Sequence, residues 1–229
     1  MRRADLKHIL AAQAQQQSIA MVTRLADGAQ SFYDGVRCSG GVSLSAEQRA
    51  EADRLLLAGR SACLTASEGE IFLRSYTPPA RLVIIGAVHI AQFLAPMAAL
   101  AGFAVIIIDP RTAFGTAERF PGVTVLNEWP GPALERLGLD DHTALVTLSH
   151  DPKLDDPAIC AALRSPVFYI GALGSRRTHA KRVERLGERG LADLAPRIHA
   201  PVGLDLGGRS AAEIAVAVLA QVIQVRYQR

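Results

Sequence analysis

Five short apolar runs rich in β-branched residues follow one another through the second two thirds of this 229-residue chain. Short runs that are apolar on both faces are typical of buried parallel strands. Helical patterns lie between several of them, and this alternation predicts an α/β fold with a doubly wound parallel sheet. The predicted strands cover residues 81–85, 105–109, 123–126, 143–148 and 167–173, and the predicted helices cover 89–101, 157–164, 176–189 and 210–225.

The first third of the chain has the pattern of a small α+β domain. We predict a helix near 4–16, a strand over 19–25, a second strand after the turn at Asp27-Gly28, and a strand over 70–76. A capping-box pattern at Ser45 opens a helix that ends at Gly59. Thr77-Pro78-Pro79 removes two backbone donors and fixes φ, which indicates a linker. We therefore predict an amino-terminal domain over 1–77 and a Rossmann-like domain over 78–229.

Composition argues against nucleic-acid and membrane partners. Lys and Arg outnumber Asp and Glu by only 25 to 22, and aromatic residues make up 5%, so few side chains are available to stack on bases. The longest apolar stretch, Phe93–Ile108, is interrupted by Pro96 and Gly102 and is shorter than the roughly 20 residues that cross a bilayer. The first apolar run after Arg3 is too short for a signal peptide. We expect a cytoplasmic protein.

The cysteines suggest a reducing compartment. Cys38, Cys63 and Cys160 are far apart in the sequence and form no CxxC pair. This spacing predicts neither a disulfide framework nor a structural zinc site.

A glycine turn follows the first strand of the predicted Rossmann-like domain. GAVHIA begins at Gly86, and Asp109 follows 23 positions later. This is close to a dinucleotide fingerprint, in which the helix N-terminus faces a pyrophosphate and the acidic residue binds ribose. Val88 replaces the second glycine and would fill the space through which a pyrophosphate approaches. Two interpretations follow, an NAD(P) site or a turn that serves folding alone. His89, in the first helical turn, is either a ligand contact or a surface histidine.

A polar loop follows the predicted strand 143–148. His150 and Asp151 stand where parallel sheets bind ligands, and they could exchange a proton or orient a substrate. For Asp155 and Asp156 we favour a simpler role, as the N-cap of the following helix.

The segment after the predicted strand 167–173 has the character of an anion site. Gly174 allows close backbone approach, Ser175 can cap a helix, and Arg176 and Arg177 suit bidentate phosphate binding. The alternative is an ordinary solvated basic helix. Asp205, in a glycine-rich segment before the last helix, is a ligand contact or a turn former.

Four stretches of the chain resemble the xanthine dehydrogenase accessory (XdhC/CoxI) family between residues 81 and 226. They are GAVHIA with Asp109-Pro110-Arg111, SHDPKLDDPAI, YIGALGSRRTHAKR and PVGLDLGGRSAAEIAVAVLA. The resemblance implies a maturation factor that binds molybdenum cofactor, protects it, supports its sulfuration and passes it to a xanthine dehydrogenase-like hydroxylase. It also implies a homodimer and a cysteine desulfurase as a further partner.

The resemblance is looser in the first third of the chain. Arg37-Cys38-Ser39-Gly40-Gly41 is similar to the family's glycine-and-cysteine segment, which would make Cys38 a sulfur or molybdenum contact. The alternative for Cys38, which we favour, is a small, partly buried thiol.

We therefore predict a cofactor chaperone rather than an enzyme. The phosphate is expected at the segment 174–177, and the pterin or metal end near His150, Asp151 and Asp205. The alternatives are an NAD(P)-dependent oxidoreductase and a nucleotide-sensing regulator without catalysis. The predicted cofactor-binding residues are Gly86, His89, Asp109, Arg111, His150, Asp151, Gly174, Ser175, Arg176, Arg177 and Asp205.

Overall fold

The structure, a computed structural model, describes residues 3–15, 17–66 and 69–228. The chain divides into two compact units, with the boundary between Pro78 and Pro79. Within the described residues, no helix is both long enough and apolar enough to span a membrane.

The amino-terminal unit is built on a five-stranded antiparallel sheet with the order β3-β2-β1-β5-β4. Val22 and Leu73 of this sheet are buried with Leu55 and Leu56 of the helix Ala46–Ala58, so a core lies between the sheet and this helix. Its elements are α1 (Arg3–Ala14), β1 (Ile19–Arg24), β2 (Gln30–Tyr33), β3 (Cys38–Gly40), α2 (Ala46–Ala58), β4 (Ala62–Ala66) and β5 (Gly69–Tyr76).

The caps of α2 confirm the capping-box prediction. The Ser45 hydroxyl accepts the Gln48 N–H, and the Gln48 side chain accepts the Ser45 N–H. Gly59 ends the helix with φ of 64°, a left-handed conformation that glycine adopts without a steric penalty.

The second unit is a six-stranded parallel sheet with the order β11-β10-β9-β6-β7-β8. A 3-10 helix, Ala192–Arg197, precedes the last strand. The elements are β6 (Arg81–Ile85), α3 (His89–Leu100), β7 (Ala104–Ile108), β8 (Thr124–Leu126), α4 (Pro130–Leu137), β9 (Thr143–Thr147), α5 (Pro152–Leu163), β10 (Tyr169–Ala172), α6 (Arg176–Gly187), β11 (Ile198–His199) and α7 (Ala211–Gln228).

Helices cover both faces of this sheet, which confirms the predicted α/β class. In the central strand β6, Leu82 and Ile84 pack on the face covered by α3 and α7, whereas Val83 and Ile85 pack on the face covered by α4, α5 and α6. Both sets are fully buried. This two-sided burial explains why the strand is a continuous apolar run rather than an alternating one.

Three details of the second unit differ from the sequence prediction. The helix α5 begins at Pro152 rather than at residue 157, while α4 and β11 were not predicted. The helix α4 is short and begins with two prolines in its first three positions, and β11 has only two residues. Both are shorter than the stretch of sequence over which a helical period or a strand alternation is recognised.

Candidate functional site

The carboxyl ends of the six parallel strands meet at one edge of the sheet. The strand order reverses between β6 and β9, and ligands bind α/β sheets at such a reversal. Gly86 follows β6 with φ of +105°, and a Cβ there would lie 3.0 Å from both the backbone N and the Cβ of Ser149. Gly86 therefore lets the loops after β6 and β9 approach closely.

The carboxylate of Asp109 is used inside the fold. Asp109 is fully buried, and its Oδ2 accepts the Ala87 N–H at 2.8 Å. The Arg111 side chain donates to both carboxylate oxygens, at 2.8 and 2.7 Å. Burial alone would raise the pKa of Asp109, but these hydrogen bonds outweigh it and lower the pKa. A ribose would have to displace Arg111 or Ala87 to reach this acid.

Arg111 is the accessible partner of that pair. Its side chain is 38% exposed, and its guanidinium lies 4.5 Å from the centre of the Phe114 ring. The hydrogen bond to Asp109 raises the pKa of Arg111, and the negative charges of Asp151 and Asp155 add to that effect. The structure thus brings Arg111 into the electrostatic range of the loop that follows β9.

His89 is an exposed residue at the start of α3. Its Nδ1 lies 3.1 Å from Gln92 Oε1, and its ring contacts the Phe93 ring edge-on at 5.1 Å. The N-cap residue, Val88, makes no side-chain hydrogen bond to the helix.

The loop after β9 combines backbone strain with a helix cap. His150 has φ of 60° and is the single non-glycine residue with positive φ among those described. Asp151 caps α5, because its Oδ1 accepts the Lys153 N–H at 2.9 Å. Our prediction that Asp155 or Asp156 caps this helix is wrong. The helix starts earlier because Pro152 occupies its first turn, where the missing proline N–H is not needed.

Asp155 and Asp156 are buried carboxylates inside α5 instead. Asp155 accepts the Ser149 hydroxyl at 2.6 Å, and burial raises its pKa. Asp156 accepts two hydrogen bonds from Arg185 of α6, at 2.5 and 2.9 Å. These contacts fix α5 against the preceding loop and against α6.

The first turn of α6 is capped by its own side chains. Ser175 caps the helix as predicted, accepting the Thr178 N–H at 3.1 Å, and its hydroxyl lies 3.0 Å from Thr178 Oγ1. Gly174 has φ of +132°, and a Cβ there would lie 3.0 Å from Thr178 Cγ2. The glycine therefore serves the tight entry into the helix.

Arg176 and Arg177 face different cavities. Arg177 lines a cavity of about 260 Å³ together with His150. Arg176 lines a second cavity of about 370 Å³ with Asp205 and the glycine-rich loop of residues 201–208. The structure thus groups the predicted residues in pairs, Arg177 with His150 and Arg176 with Asp205.

The loop that carries Asp205 is held against α7 by contacts of Gly203. Gln221 Oε1 accepts both the Tyr169 hydroxyl at 2.5 Å and the Gly203 N–H at 2.9 Å. A Cβ on Gly203 would lie 3.1 Å from the backbone of Ala217 in α7. Asp205 itself is exposed at the surface of the cavity.

Sequence reasoning missed three of the basic residues that line the first cavity. Lys181, Arg182 and Arg185 also line it. A signal was present in the sequence, because Arg177, Lys181 and Arg185 recur every four residues and so share one helix face. Arg182 is buried like Leu186, four residues later on the neighbouring face.

Cys38 lies in the amino-terminal unit and is a half-buried thiol, as the favoured interpretation predicted. It donates to the Val42 carbonyl at 3.3 Å, and burial raises its pKa, which disfavours the thiolate form that binds metals. Across the described part of the chain, no three His, Cys, Asp or Glu residues cluster in a way that could hold a metal ion.

Comparison with known proteins identifies the second unit. Residues 82–222 match the family model described as the XdhC Rossmann domain. The chain is 34% identical to YqeB, an uncharacterized protein of Escherichia coli (strain K12), over 160 residues that cover 68% of this chain and 29% of YqeB. It is 35% identical to a probable xanthine dehydrogenase subunit of Bacillus subtilis (strain 168), over 68% of this chain and 46% of that protein.

A further relative is the molybdenum cofactor insertion chaperone PaoD of Escherichia coli (strain K12), 34% identical over 66% of this chain and 42% of PaoD. The chain therefore spans less than half the length of these relatives. A crystal structure described as a xanthine dehydrogenase from Bacillus halodurans shares the fold, with a TM-score of 0.76 at 22% identity over 99% of this chain and 68% of that one. Since the family model matches more than half of the chain, this protein belongs to the XdhC family.

Proposed function

We propose that this chain is a maturation factor that binds molybdenum cofactor at the carboxyl edge of its parallel sheet. In this proposal it protects the cofactor, supports its sulfuration with sulfur from a cysteine desulfurase, and delivers it to an apo-hydroxylase of the xanthine dehydrogenase type. Membership of the XdhC family and the likeness to PaoD support the general role.

The observation that carries the proposal is the cavity of about 370 Å³ with Arg176 and Asp205 on its lining. The cofactor is a flat pterin with an amino group and a ring N–H, a phosphate, and an oxyanionic metal centre. An exposed carboxylate can accept from the pterin, and a guanidinium can donate to an oxyanion. Arg176 and Asp205 supply these two groups within one cavity.

Exposure of the binding groups suits a carrier, because its ligand must leave for the target enzyme. Arg176 and Asp205, the binding groups in the cavity of about 370 Å³, are both exposed. Contacts between exposed charges and a ligand are weaker than buried ones, so the cofactor can be held without irreversible capture.

The alternative of an NAD(P)-dependent oxidoreductase has less support from the geometry. The strand order and Gly86 fit it, but Val88 stands at the second glycine position and Asp109 is buried against Arg111. We therefore favour the interpretation in which the turn at Gly86 serves the fold.

Charge reversal at Arg176 tests the cofactor site. We expect Arg176→Glu to weaken cofactor binding about tenfold or more, equivalent to about 1.4 kcal/mol. Purified protein would be titrated anaerobically with cofactor by fluorescence or calorimetry, after circular dichroism has shown that the variant is folded. Lys153→Glu is the matched control, because Lys153 is exposed and lines neither cavity. An equal dissociation constant for Arg176→Glu and wild type would remove Arg176 from the site.

A further inference from the structure

The cavity of about 260 Å³ between α5 and α6 carries an excess of positive charge. Its basic side chains outnumber its carboxylates by four to two, and all four come from α6. Arg177 and Lys181 are exposed at its rim. The basic residues are Arg177, Lys181, Arg182 and Arg185, and the carboxylates are Asp155 and Asp156.

Arg182 is the buried member of this group, with 3% of its surface exposed. Its Nη2 donates to the Leu173 carbonyl at 3.1 Å, but its Nε and Nη1 are buried and have no acceptor. A buried donor left without a partner destabilises the folded state, and more so when the group is charged. Such a group calls for an explanation, and a bound ion is one of the standard ones.

The neighbouring carboxylates do not fill this need. Asp156 is held by two hydrogen bonds from Arg185, and Asp155 accepts the Ser149 hydroxyl. Both raise the pKa of Arg182 against the larger, opposing effect of burial, so they act on Arg182 through charge and not through a hydrogen bond. Acceptors for Arg182 Nε and Nη1 therefore have to come from a bound species, and the excess of positive charge in the cavity favours an anion over water.

His150 lines the same cavity and comes from the loop after β9 rather than from α6. It adopts φ of 60°, a conformation that is strained for a residue with a side chain and that clusters at ligand-binding sites. This second observation is independent of the charge on α6.

We propose that the cavity between α5 and α6 is an oxyanion site that takes a phosphate group. Arg182 is its buried donor, and Arg177 and Lys181 are its exposed donors. His150 lines the cavity from the loop after β9. Guanidinium groups donate to two phosphate oxygens at once, which favours phosphate over a spherical anion such as chloride. Phosphate can come from the free ion or from the phosphate ester of the cofactor, and the second source rests on the proposed function above.

Inorganic phosphate is the first probe. We expect saturable binding to the full chain by calorimetry at constant ionic strength, with chloride as the balancing ion to remove general screening effects. Arg177→Ala should weaken binding at least about fivefold and Arg182→Gln at least about tenfold. Lys153→Ala, which removes an exposed charge outside the cavity, should leave it within about twofold. Absence of saturable binding, or equal losses in all three variants, would overturn the proposal.

Thermal unfolding is a second test, and it does not depend on the Arg182→Gln variant being folded. Phosphate should raise the melting temperature of the wild type, because a ligand that binds the folded state stabilises it. It should have a smaller effect on Arg177→Ala, which removes an exposed side chain from the cavity. An equal shift in Arg177→Ala and wild type would show that phosphate binds elsewhere.

Competition distinguishes the two sources of phosphate. If the cofactor's phosphate enters this cavity, inorganic phosphate should weaken cofactor binding to the wild type, and a higher phosphate concentration should be needed for the same effect in Arg177→Ala. Independent binding of the two ligands assigns the cavity to the free ion. If the cofactor does not bind at all while phosphate does, the proposed function fails and the oxyanion site stands.

Discussion

The carboxylate of Asp109 has no exposed surface and accepts hydrogen bonds from Arg111 and Ala87. Through these contacts it joins the turn after β6 to the end of β7. In the sequence the same residue matched the ribose-binding acid of a dinucleotide fingerprint. Spacing along the chain could place it at the correct strand end but could not reveal Arg111, two residues later, as its partner.

We expect Asp109→Asn to lower the free energy of unfolding by about 2 kcal/mol, because the amide replaces a charged acceptor of several hydrogen bonds. Urea denaturation would measure it. Since folding lowers the pKa of Asp109 below its usual 3.8, the stabilisation is present above that pH and is lost as pH falls through the folded pKa. The difference between wild type and variant should therefore be constant from about pH 7 to about pH 5 and shrink below that.

Glu118→Gln makes the same chemical change at an exposed position and should alter stability by less than about 0.5 kcal/mol. A difference between wild type and Asp109→Asn that persists unchanged at low pH would contradict the role given to this carboxylate.

At the scale of elements, the strands of the parallel sheet were predicted better than the helix boundaries. β6 was predicted with the observed bounds, because a strand that is buried on both faces is visible in the sequence as a continuous apolar run. The start of α5 was misplaced by five residues because several acids could serve as the cap, and only the backbone shows that Asp151 does. The short elements α4 and β11 carry too few residues to show a period.

The cap of α5 allows a direct test of Asp151. We expect Asp151→Ala to destabilise the protein by about 1 kcal/mol, since the Lys153 N–H loses its acceptor. Asp151→Ser keeps an oxygen at the cap and should recover most of that loss, as measured by urea denaturation. If serine is as destabilising as alanine, the carboxylate has a role other than capping.

The same scale explains why the two arginines after Ser175 separate. Successive residues on an α-helix project about 100° apart, so adjacent side chains do not converge on one ligand. Arg176 and Arg177 accordingly line different cavities, whereas Arg177, Lys181 and Arg185 line one together. The predicted pairing of the two arginines on one phosphate is therefore not what the helix geometry favours.

For the whole molecule, the sequence was sufficient to predict the fold class and the family, because both depend on patterns spread over long stretches of the chain. The lining of each cavity was not predictable, since it depends on which loops meet at the sheet edge. His150 and Arg177, for example, are 27 positions apart in the sequence and share a cavity. The sequence carried one signal for the cavity that they share. Arg177, Lys181 and Arg185 are four positions apart and so lie on one face of α6.

Transfer of the cofactor tests the central claim most directly. An apo-hydroxylase of the xanthine dehydrogenase type would be incubated with cofactor-loaded protein or with an equal amount of free cofactor, and the recovery of hydroxylase activity followed over time. The account predicts faster recovery with the loaded protein, and loss of that advantage with Arg176→Glu. Equal rates of recovery from loaded protein and from free cofactor would contradict a carrier function.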